Sequence, residues 1–138
     1  MSTINMQTMM YINLLDRASR VKTRKCFIYN NIIFFAVPRN LVSQAIGPDA
    51  LHIRKIQEDL GKRVKIIREC EGIEDYSRFI QEIVYPVRFK FLELKDKQII
   101  ITAGNNQSKA SLIGRNKRRY EELKNIINDL FQLDLKII

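Results

Sequence analysis

The chain contains an internal repeat, and this repeat constrains its fold more than any other sequence feature. The segment AIGPDALHIRKIQEDL, from Ala45 to Leu60, aligns without a gap with LIGRNKRRYEELKNII, from Leu112 to Ile127. The alignment matches Gly47 with Gly114 at an offset of 67 residues and pairs apolar residues with apolar residues at helical spacing. The order of predicted elements around both segments also repeats, so the sequence predicts an internal duplication.

The first half of the chain predicts a helix, two strands, two further helices and a third strand. A helix from Met6 to Arg20 precedes two β-rich runs that meet at Asn30-Asn31, and asparagine tolerates the positive φ of a tight hairpin. A short helix from Asn40 to Ile46 leads into a turn, where Pro48 and Asp49 suit the first turn of the longer helix that follows. The strand VKII closes this half.

The second half repeats this order. Its first helix ends at Pro86, and the alternation of apolar and polar residues in the run after it, VRFKFLEL, predicts a half-buried strand. A turn at Lys95-Asp96-Lys97 joins this strand to its predicted partner, QIIITA. A short helix from Gln107 to Ile113, a glycine turn, a longer helix through Tyr120 and the strand LDLKII complete the repeat.

Composition narrows the function classes. The chain has 24 basic and 15 acidic residues, a net charge of +9, which favours a polyanionic partner. A hydrophobic content of 46% supports a packed core, while the longest apolar runs are too short to span a membrane. We expect the N-terminal stretch to be an amphipathic helix and not a signal peptide. Cys26 and Cys70 lack metal-site or disulfide spacing, which indicates a cytoplasmic protein.

Catalytic motifs are missing from the sequence. It holds no Ser/His/Asp arrangement, phosphate-binding loop of the Walker type or cluster of acidic metal ligands. His52, the single histidine, lies beside the first glycine turn, where we interpret it as a polar surface residue, although it could face nucleic acid. We therefore expect no enzymatic activity, no cofactor and no metal.

The two glycine turns carry a specific resemblance. An IGxx turn that joins a short helix to a longer one resembles the GxxG loop of KH domains, and the helix and strand in front resemble the type II, prokaryotic arrangement. Two such modules in tandem resemble the archaeal form of the NusA transcription factors. YINLLDRASRVKTRKCFIYNNIIFFAV, LVSQAIG and DLGKRVKII are similar to the first module, and LIGRNKRRYEEL to the second.

This resemblance implies both a fold and a function. The fold would be α+β, with two tandem type II KH modules at residues 1–70 and 71–138, each a three-stranded sheet packed on helices. The function would be the binding of nascent single-stranded RNA in transcription elongation or termination, with RNA polymerase as a candidate partner and no membrane partner.

The first loop, Gly47-Pro48-Asp49-Ala50, departs from the GxxG pattern. Glycine in such loops lets the backbone approach phosphate and sugar, while amides at the helix start donate hydrogen bonds to them. Here alanine replaces the last glycine, and Asp49 brings negative charge to the expected phosphate path. We predict an RNA contact through this loop and Arg54, with an ordinary helix start as the alternative.

The second loop, Gly114-Arg115-Asn116-Lys117, has chemistry that suits RNA better. Arg115 and Lys117 attract phosphate, Asn116 could donate to sugar or base, and Arg118 extends the charge into the following helix. Cations at a helix start are electrostatically unfavourable by up to about 1 kcal/mol each, so a purely structural role would not select them. We predict that this loop and Arg118 contact RNA, with a solvated helix face as the alternative.

Three further groups of residues, one basic, one aromatic and one aliphatic, give less specific predictions. The basic stretch RASRVKTRK either follows an RNA backbone or is a solvated connector. We predict that aromatic side chains lie in the core. The resemblance to KH domains implies that aliphatic ones form the walls of a base-binding groove, with a place in the core as the alternative for most of them. The aromatic residues are Phe34, Phe35, Phe89 and Phe91, and the aliphatic ones are Ile46, Ile53, Leu112 and Ile113.

Two alternatives to the transcription role stay open. One is an RNA-binding module that acts elsewhere, for instance in ribosome assembly. The other is a protein–protein adaptor whose degenerate loops have lost RNA binding, which the alanine and Asp49 of the first loop favour and the cations of the second loop oppose.

Overall fold

The computed structural model describes residues 5–138, which form two compact units divided between Glu69 and Cys70. The described residues have an α+β fold with six α-helices and two three-stranded sheets, one sheet in each unit. The first four residues of the first predicted module lie outside the described residues. In the part of the chain that the structure describes, each helix is too short or too polar to cross a membrane.

The first unit has the element order α1, β1, β2, α2, α3, β3. The bounds are α1 (Met6–Ser19), β1 (Lys25–Tyr29), β2 (Ile32–Val37), α2 (Val42–Ile46), α3 (Leu51–Leu60) and β3 (Arg63–Arg68). Strand β2 lies in the centre of the sheet, antiparallel to β1 and parallel to β3. Asn30 and Asn31 both take positive φ in the β1–β2 turn, which confirms the predicted tight hairpin.

Local sequence explains where α1 begins and ends. The Asn5 side chain accepts a hydrogen bond from the Thr8 amide while the Thr8 hydroxyl accepts one from the Asn5 amide, a reciprocal cap of two helix-start donors. The helix ends where Arg20 takes a left-handed conformation and donates its amide to the Asp16 carbonyl. The predicted helix is therefore confirmed to within one residue.

The core of the first unit lies between its helices and one face of its sheet. The side chains that form it are almost fully buried, which makes their burial the main stabilising term of this unit. They are Tyr11, Leu15, Val21, Ile33, Phe35, Val37, Ala45, Ile56 and Val64.

The second unit repeats the same order. Its bounds are α4 (Tyr76–Val84), β4 (Phe91–Lys95), β5 (Gln98–Thr102), α5 (Asn106–Ile113), α6 (Arg118–Phe131) and β6 (Asp134–Ile137). Strand β5 is central, antiparallel to β4 and parallel to β6. Asp96 and Lys97 take the positive φ values of the β4–β5 turn, at the predicted position. The most deeply buried side chains of this unit are Phe79, Ile80, Ile99, Ile101, Leu112, Leu123, Ile127 and Leu135.

The fourth strand begins later, and is more exposed, than its sequence predicts. The Val87 amide donates to the Val84 carbonyl, and the Gln81 side-chain amide donates to the Val87 carbonyl, so Val87 belongs to a turn. Phe91 pairs with Thr102, on the opposite sheet face from the buried Ile101, and is 48% exposed. The prediction of a half-buried strand with Phe91 in the core is wrong, whereas Phe34 and Phe35 are fully buried as predicted.

The internal duplication is visible element by element. Helices α2 and α5 end at matched positions, and α3 and α6 begin at matched positions, all at the offset of the sequence repeat. Helix α6 has 14 residues where α3 has 10, an extension of about one turn. Consequently β6 matches β3 at a larger offset, with Lys136 at the place of Lys65 and Ile137 at that of Ile66.

Candidate nucleic-acid interface

The two predicted loops have nearly the same backbone. Gly47 has φ 80° and ψ 168°, and Gly114 has φ 76° and ψ 170°. Two left-handed residues follow in each loop: Asp49 and Ala50 in the first, and their counterparts in the second. In both loops a 3₁₀ turn, Pro48–Ala50 or Arg115–Lys117, precedes the longer helix. The sequence predicted that Pro48 and Asp49 belong to the first turn of α3. They lie instead in the 3₁₀ turn before it, so this prediction is wrong.

Glycine is required in both loops for two reasons. Its φ and ψ lie in a region that side chains with a Cβ rarely adopt. A Cβ on Gly47 would also lie 2.7 Å from the His52 ring, and a Cβ on Gly114 would lie 2.6 Å from Cγ and 3.0 Å from the backbone nitrogen of Arg119. His52 and Arg119 occupy matched positions, so the same close approach is built twice from different side chains.

His52 has a structural contact that the sequence did not reveal. Its Nδ1 lies 2.8 Å from the Gln44 carbonyl oxygen, and because a carbonyl can only accept, Nδ1 carries the proton. The ring thereby links the start of α3 to the last turn of α2 across Gly47. His52 is half-buried and not simply a polar surface residue.

The second loop presents an exposed cationic surface. Arg115, Asn116, Lys117 and Arg118 are all exposed. Arg119 behaves differently, because its guanidinium forms an ion pair with the Glu122 carboxylate and its stem covers Gly114. The four predicted contact residues after the glycine are thus brought together on one accessible surface.

The first loop presents a different surface on the same backbone. Pro48 and Asp49 are exposed, Ala50 is half-buried, and Leu51, the counterpart of Arg118, is 51% exposed. The predicted contact residue Arg54 is exposed on α3, next to the first turn of that helix. This loop therefore offers a carboxylate and an apolar side chain where the second loop offers cations.

A groove lies beside the second loop. It is a cavity of about 240 Å³ lined by Ile113, Lys117, Tyr120, Lys136 and Ile137, and we refer to it as the groove. Helix α5 and the second loop form one wall, α6 contributes Tyr120, and the edge strand β6 forms the other wall. Two lysines therefore flank a surface of aliphatic and aromatic side chains.

The free edge of β6 adds backbone groups to this groove. In a parallel ladder, alternate residues of a strand direct both their N–H and C=O groups to the same side. Asp134 and Ile138 donate their amides toward β5, to Lys97 and Ile101, so the alternation turns the amide and carbonyl of Ile137 to the groove side. Ile137 thus places one backbone donor and one backbone acceptor at this edge.

The sequence predicted only part of these walls. Ile113 lines the groove, whereas Leu112 is fully buried, which is the core alternative for this residue. Tyr120, Lys136 and Ile137 were missed as wall residues. Tyr120 could have been found from its position three residues after Lys117, which places it about one helical turn behind the loop.

The comparisons with known proteins bear on the fold. The crystal structure of APE1850 is similar, with a TM-score of 0.64 and 20% sequence identity, over 98% of this chain and 100% of that chain. The chain shares its fold with APE1850. At this level of identity the similarity establishes the fold alone. No protein-family model matches the sequence, and no curated protein matches it at a significant level.

A second basic region lies in the first unit. A cavity of about 330 Å³ is lined mainly by the RASRVKTRK stretch and includes Lys22, Arg24 and Lys25. The Lys25 ammonium lies 3.3 Å from the Glu69 carboxylate on the same rim, and the Thr23 hydroxyl donates to the Ala36 carbonyl. The Glu69 carboxylate therefore lowers the positive potential of this region.

Burial and hydrogen bonding shift the pKa values of some titratable groups among the described residues. Burial raises the pKa of the Cys26 thiol to about 12, so it stays protonated and non-nucleophilic at neutral pH. The hydrogen bond from Arg78 to Asp75 raises the pKa of the guanidinium, which stays charged. Among residues 5–138, no group of three acidic, histidine or cysteine side chains is placed to hold a metal ion.

Proposed function

We propose that the chain is a single-stranded RNA-binding protein built from two type II KH modules. The order helix, strand, strand, helix, helix, strand in each unit, with one antiparallel and one parallel strand pair, supports this assignment. The glycine turns between α2 and α3 and between α5 and α6 lie where a GxxG loop would lie.

The observation that carries the proposal is the second loop together with its groove. The exposed Lys117 lines a cavity together with Ile113, Tyr120, Lys136 and Ile137, and the exposed Arg115 and Arg118 lie close to Lys117 in sequence. A cationic loop attracts phosphates, and an adjacent apolar groove accepts unstacked bases, which is the pattern of single-strand recognition.

The binding mechanism follows from the backbone. Within residues 5–138, no side chain caps the start of α6, and the Arg118 amide donates to the Arg115 carbonyl, which leaves the following amides and the positive end of the helix dipole at the loop. A phosphate at the second loop would accept hydrogen bonds from them, with Arg115 and Lys117 beside it. The adjoining base would enter the groove and meet the amide and carbonyl of Ile137.

The role in transcription is a further part of the proposal. It rests on the resemblance to archaeal NusA and makes RNA polymerase the partner and nascent RNA the ligand, without enzymatic activity. Co-purification of the tagged full chain with RNA polymerase, resistant to ribonuclease treatment, is the expected result. Recovery with ribosomal particles instead would favour a role in ribosome assembly.

A specific observation favours the adaptor alternative for the first unit. The exposed Asp49 repels phosphate, and the exposed Leu51 offers apolar surface where the second unit has Arg118. The first loop would then contact protein while the second holds RNA. A first loop that crosslinks to a protein partner and not to RNA would support this division.

The test of RNA binding is fluorescence anisotropy with short single-stranded RNA at two salt concentrations. The variant Arg115→Asp with Lys117→Asp reverses two charges in the second loop. The control variant, Lys95→Asp with Lys97→Asp, makes the same change in net charge at the exposed β4–β5 hairpin, outside the lining of the groove. Circular dichroism confirms that both variants fold.

The proposal expects salt-sensitive binding by the natural protein, a loss of at least about thirtyfold in the loop variant and a small loss in the control. For single strands the logarithmic salt slope is roughly 0.7 per neutralised phosphate, so the loop variant should also bind with a shallower slope. Equal losses in both variants would mean diffuse attraction by net charge. Absence of binding by the natural protein at low salt would overturn the RNA proposal.

A further inference from the structure

Tyr120 is held in a fixed orientation at the groove. Its hydroxyl donates a hydrogen bond of 3.0 Å to the carbonyl oxygen of Leu135, in the edge strand β6. Leu135 is itself buried, and its amide donates a hydrogen bond of 2.8 Å to the Asp134 carboxylate. The ring, which lines the groove, is therefore anchored at its far end to a rigid part of the sheet.

The Tyr120 ring is also supported by Lys124. The Lys124 ammonium lies over the ring at 5.8 Å from its centroid, within the range of a cation–π contact. The same ammonium lies 3.8 Å from the Asp134 carboxylate, which helps to keep it there. Lys124 does not line the groove although Tyr120 does, so the lysine supports the ring from outside the cavity.

In the first unit the long helix is linked to the edge strand without an aromatic ring. Its counterpart of Tyr120 is Ile53, which packs against the core, and its counterpart of Lys124 is Gln57. There the Val64 amide donates to the Gln57 side-chain oxygen at 2.9 Å. The long helix is thus tied to the edge strand in both units, by a glutamine in the first and by a tyrosine hydroxyl in the second. The tie to the strand alone does not require an aromatic residue.

We propose that the Tyr120 ring is a platform on which one RNA base stacks inside the groove. The inference rests on the proposed RNA binding and adds the group that receives the base. A ring fixed at its hydroxyl and supported by a cation loses little freedom when a base stacks on it, and such stacking tolerates every base because each has a π-face. The second unit would then grip a base by stacking, and the first unit would offer only aliphatic contact at Ile53.

The experiment separates the ring from its hydroxyl. Tyr120→Ile installs the residue of the first unit and removes both, whereas Tyr120→Phe keeps the ring and removes the hydrogen bond to Leu135. Each variant of the full chain is checked for folding and titrated with a single-stranded RNA hexamer and with hexamers that carry one abasic residue at each position in turn. The probe is the change in affinity, measured by fluorescence anisotropy.

Stacking on an aromatic side chain is worth about 1–3 kcal/mol per base, so Tyr120→Ile should weaken binding about tenfold and Tyr120→Phe less than threefold. One abasic position should weaken binding by the natural protein by a similar factor and have little further effect in Tyr120→Ile. The salt slope should not change in either variant, because the ring contacts no phosphate.

Three results would overturn the proposal that Tyr120 stacks on a base. If Tyr120→Phe loses as much affinity as Tyr120→Ile, the hydroxyl tie matters and the ring does not. If Tyr120→Ile binds as tightly as the natural protein while the charge-reversed second loop does not bind, RNA binding stands and stacking is wrong. If the natural protein binds no RNA, both proposals fail.

Discussion

The first and second loops share a backbone and differ in nearly every exposed side chain. Their glycine φ and ψ angles agree within a few degrees, and so do those of the left-handed residues, with Asp49 at φ 53° and Asn116 at φ 56°. The exposed positions have changed from proline, aspartate and leucine to arginine, asparagine and arginine. The duplication has kept a conformation while the two surfaces diverged.

This difference indicates which part of each loop is constrained. The glycine and the half-buried residue behind it, His52 or Arg119, determine how the two helices meet, so the geometry persists whatever the loop contacts. The exposed residues are not needed for that geometry and can differ between the two loops without changing it. The conserved frame and the divergent surface can therefore be tested separately.

The largest expected effect comes from the glycines. Gly114→Ala should lower the free energy of unfolding of the second unit by about 3 kcal/mol, because of unfavourable φ and ψ angles and overlap with the backbone of Arg119. Gly47→Ala should cost about 2 kcal/mol in the first unit, since the His52 ring can rotate away at the loss of its hydrogen bond to Gln44. Native-state hydrogen exchange of the β2 and β5 amides measures each unit separately.

Gly61→Ala is the control for the glycine experiment. Gly61 has a similar positive φ of 65°, but within the described residues a Cβ there would meet no atom closer than 4 Å. It should therefore cost only the left-handed strain, about 1 kcal/mol. Equal costs at Gly47, Gly61 and Gly114 would show that the close approach contributes nothing.

The next effect comes from exchanging the loop surfaces. Because the backbones agree, replacing Arg115-Asn116-Lys117 by Pro-Asp-Ala should preserve the fold and weaken RNA binding by about thirtyfold, roughly 2 kcal/mol. The reverse exchange, which places Arg-Asn-Lys at Pro48–Ala50, should add an RNA-binding contact to the first unit. RNA titrations by anisotropy, with protected NMR amides as the fold check, measure both. A fully active chimera with the first loop's residues would mean that charge in the second loop is irrelevant.

The secondary structure was largely predictable because it depends on local rules. Asn30 and Asn31 tolerate the left-handed φ of a hairpin, and Gly114 ends one helix before the next begins. Alternation in VRFKFLEL gave the period of a strand correctly but could not tell which face is covered, so Phe91 was misplaced. The late start of β4 depends on hydrogen bonds of Val87 to the preceding helix, which the alternation does not reflect.

Only the part of the candidate site that is local in sequence could be predicted, because the rest depends on contacts between residues distant in the chain. The charges of the second loop are contiguous in sequence, so they could be read directly. Lys136 and Ile137 reach the groove only because β6 pairs in parallel with β5, which brings residues far apart in the chain beside Ile113. The role of Tyr120 depends on a hydrogen bond to Leu135 that no helical periodicity predicts.

A smaller effect distinguishes the units at alkaline pH. Burial raises the pKa of Cys26 in the first unit from 9.0 to about 12. Between pH 9 and 12 the thiol stays protonated in the folded protein but ionises in the unfolded chain. Its contribution to the free energy of unfolding is therefore complete below pH 9 and is lost as the pH rises toward 12. The free energy of unfolding of the first unit should fall by up to about 1.4 kcal/mol per pH unit in this window.

Urea unfolding at pH 8, 9.5 and 10.5 measures this effect as the difference between the natural protein and Cys26→Ala. Lysines and tyrosines titrate in both proteins, so their contributions cancel in the difference. Cys70→Ala, in the second unit, should leave the pH dependence of the first unit unchanged. Parallel pH curves for the natural protein and Cys26→Ala would contradict the prediction.

The smallest effect concerns the last loop position, where Ala50 and Lys117 hold φ values of 58° and 60°. Glycine adopts this conformation without strain, at a partly compensating gain of freedom in the unfolded chain, so each substitution to glycine should stabilise its unit by about 0.5–1 kcal/mol. Ala50→Gly should leave RNA affinity unchanged, whereas Lys117→Gly should weaken it severalfold and lower the salt slope by about 0.7. Hydrogen exchange and salt-dependent anisotropy on the same two variants measure both quantities. If Lys117→Gly stabilises the second unit and weakens RNA binding, Lys117 keeps a strained conformation because its charge binds RNA. If Lys117→Gly binds RNA as tightly as the natural protein, the Lys117 ammonium is solvated and does not contact RNA.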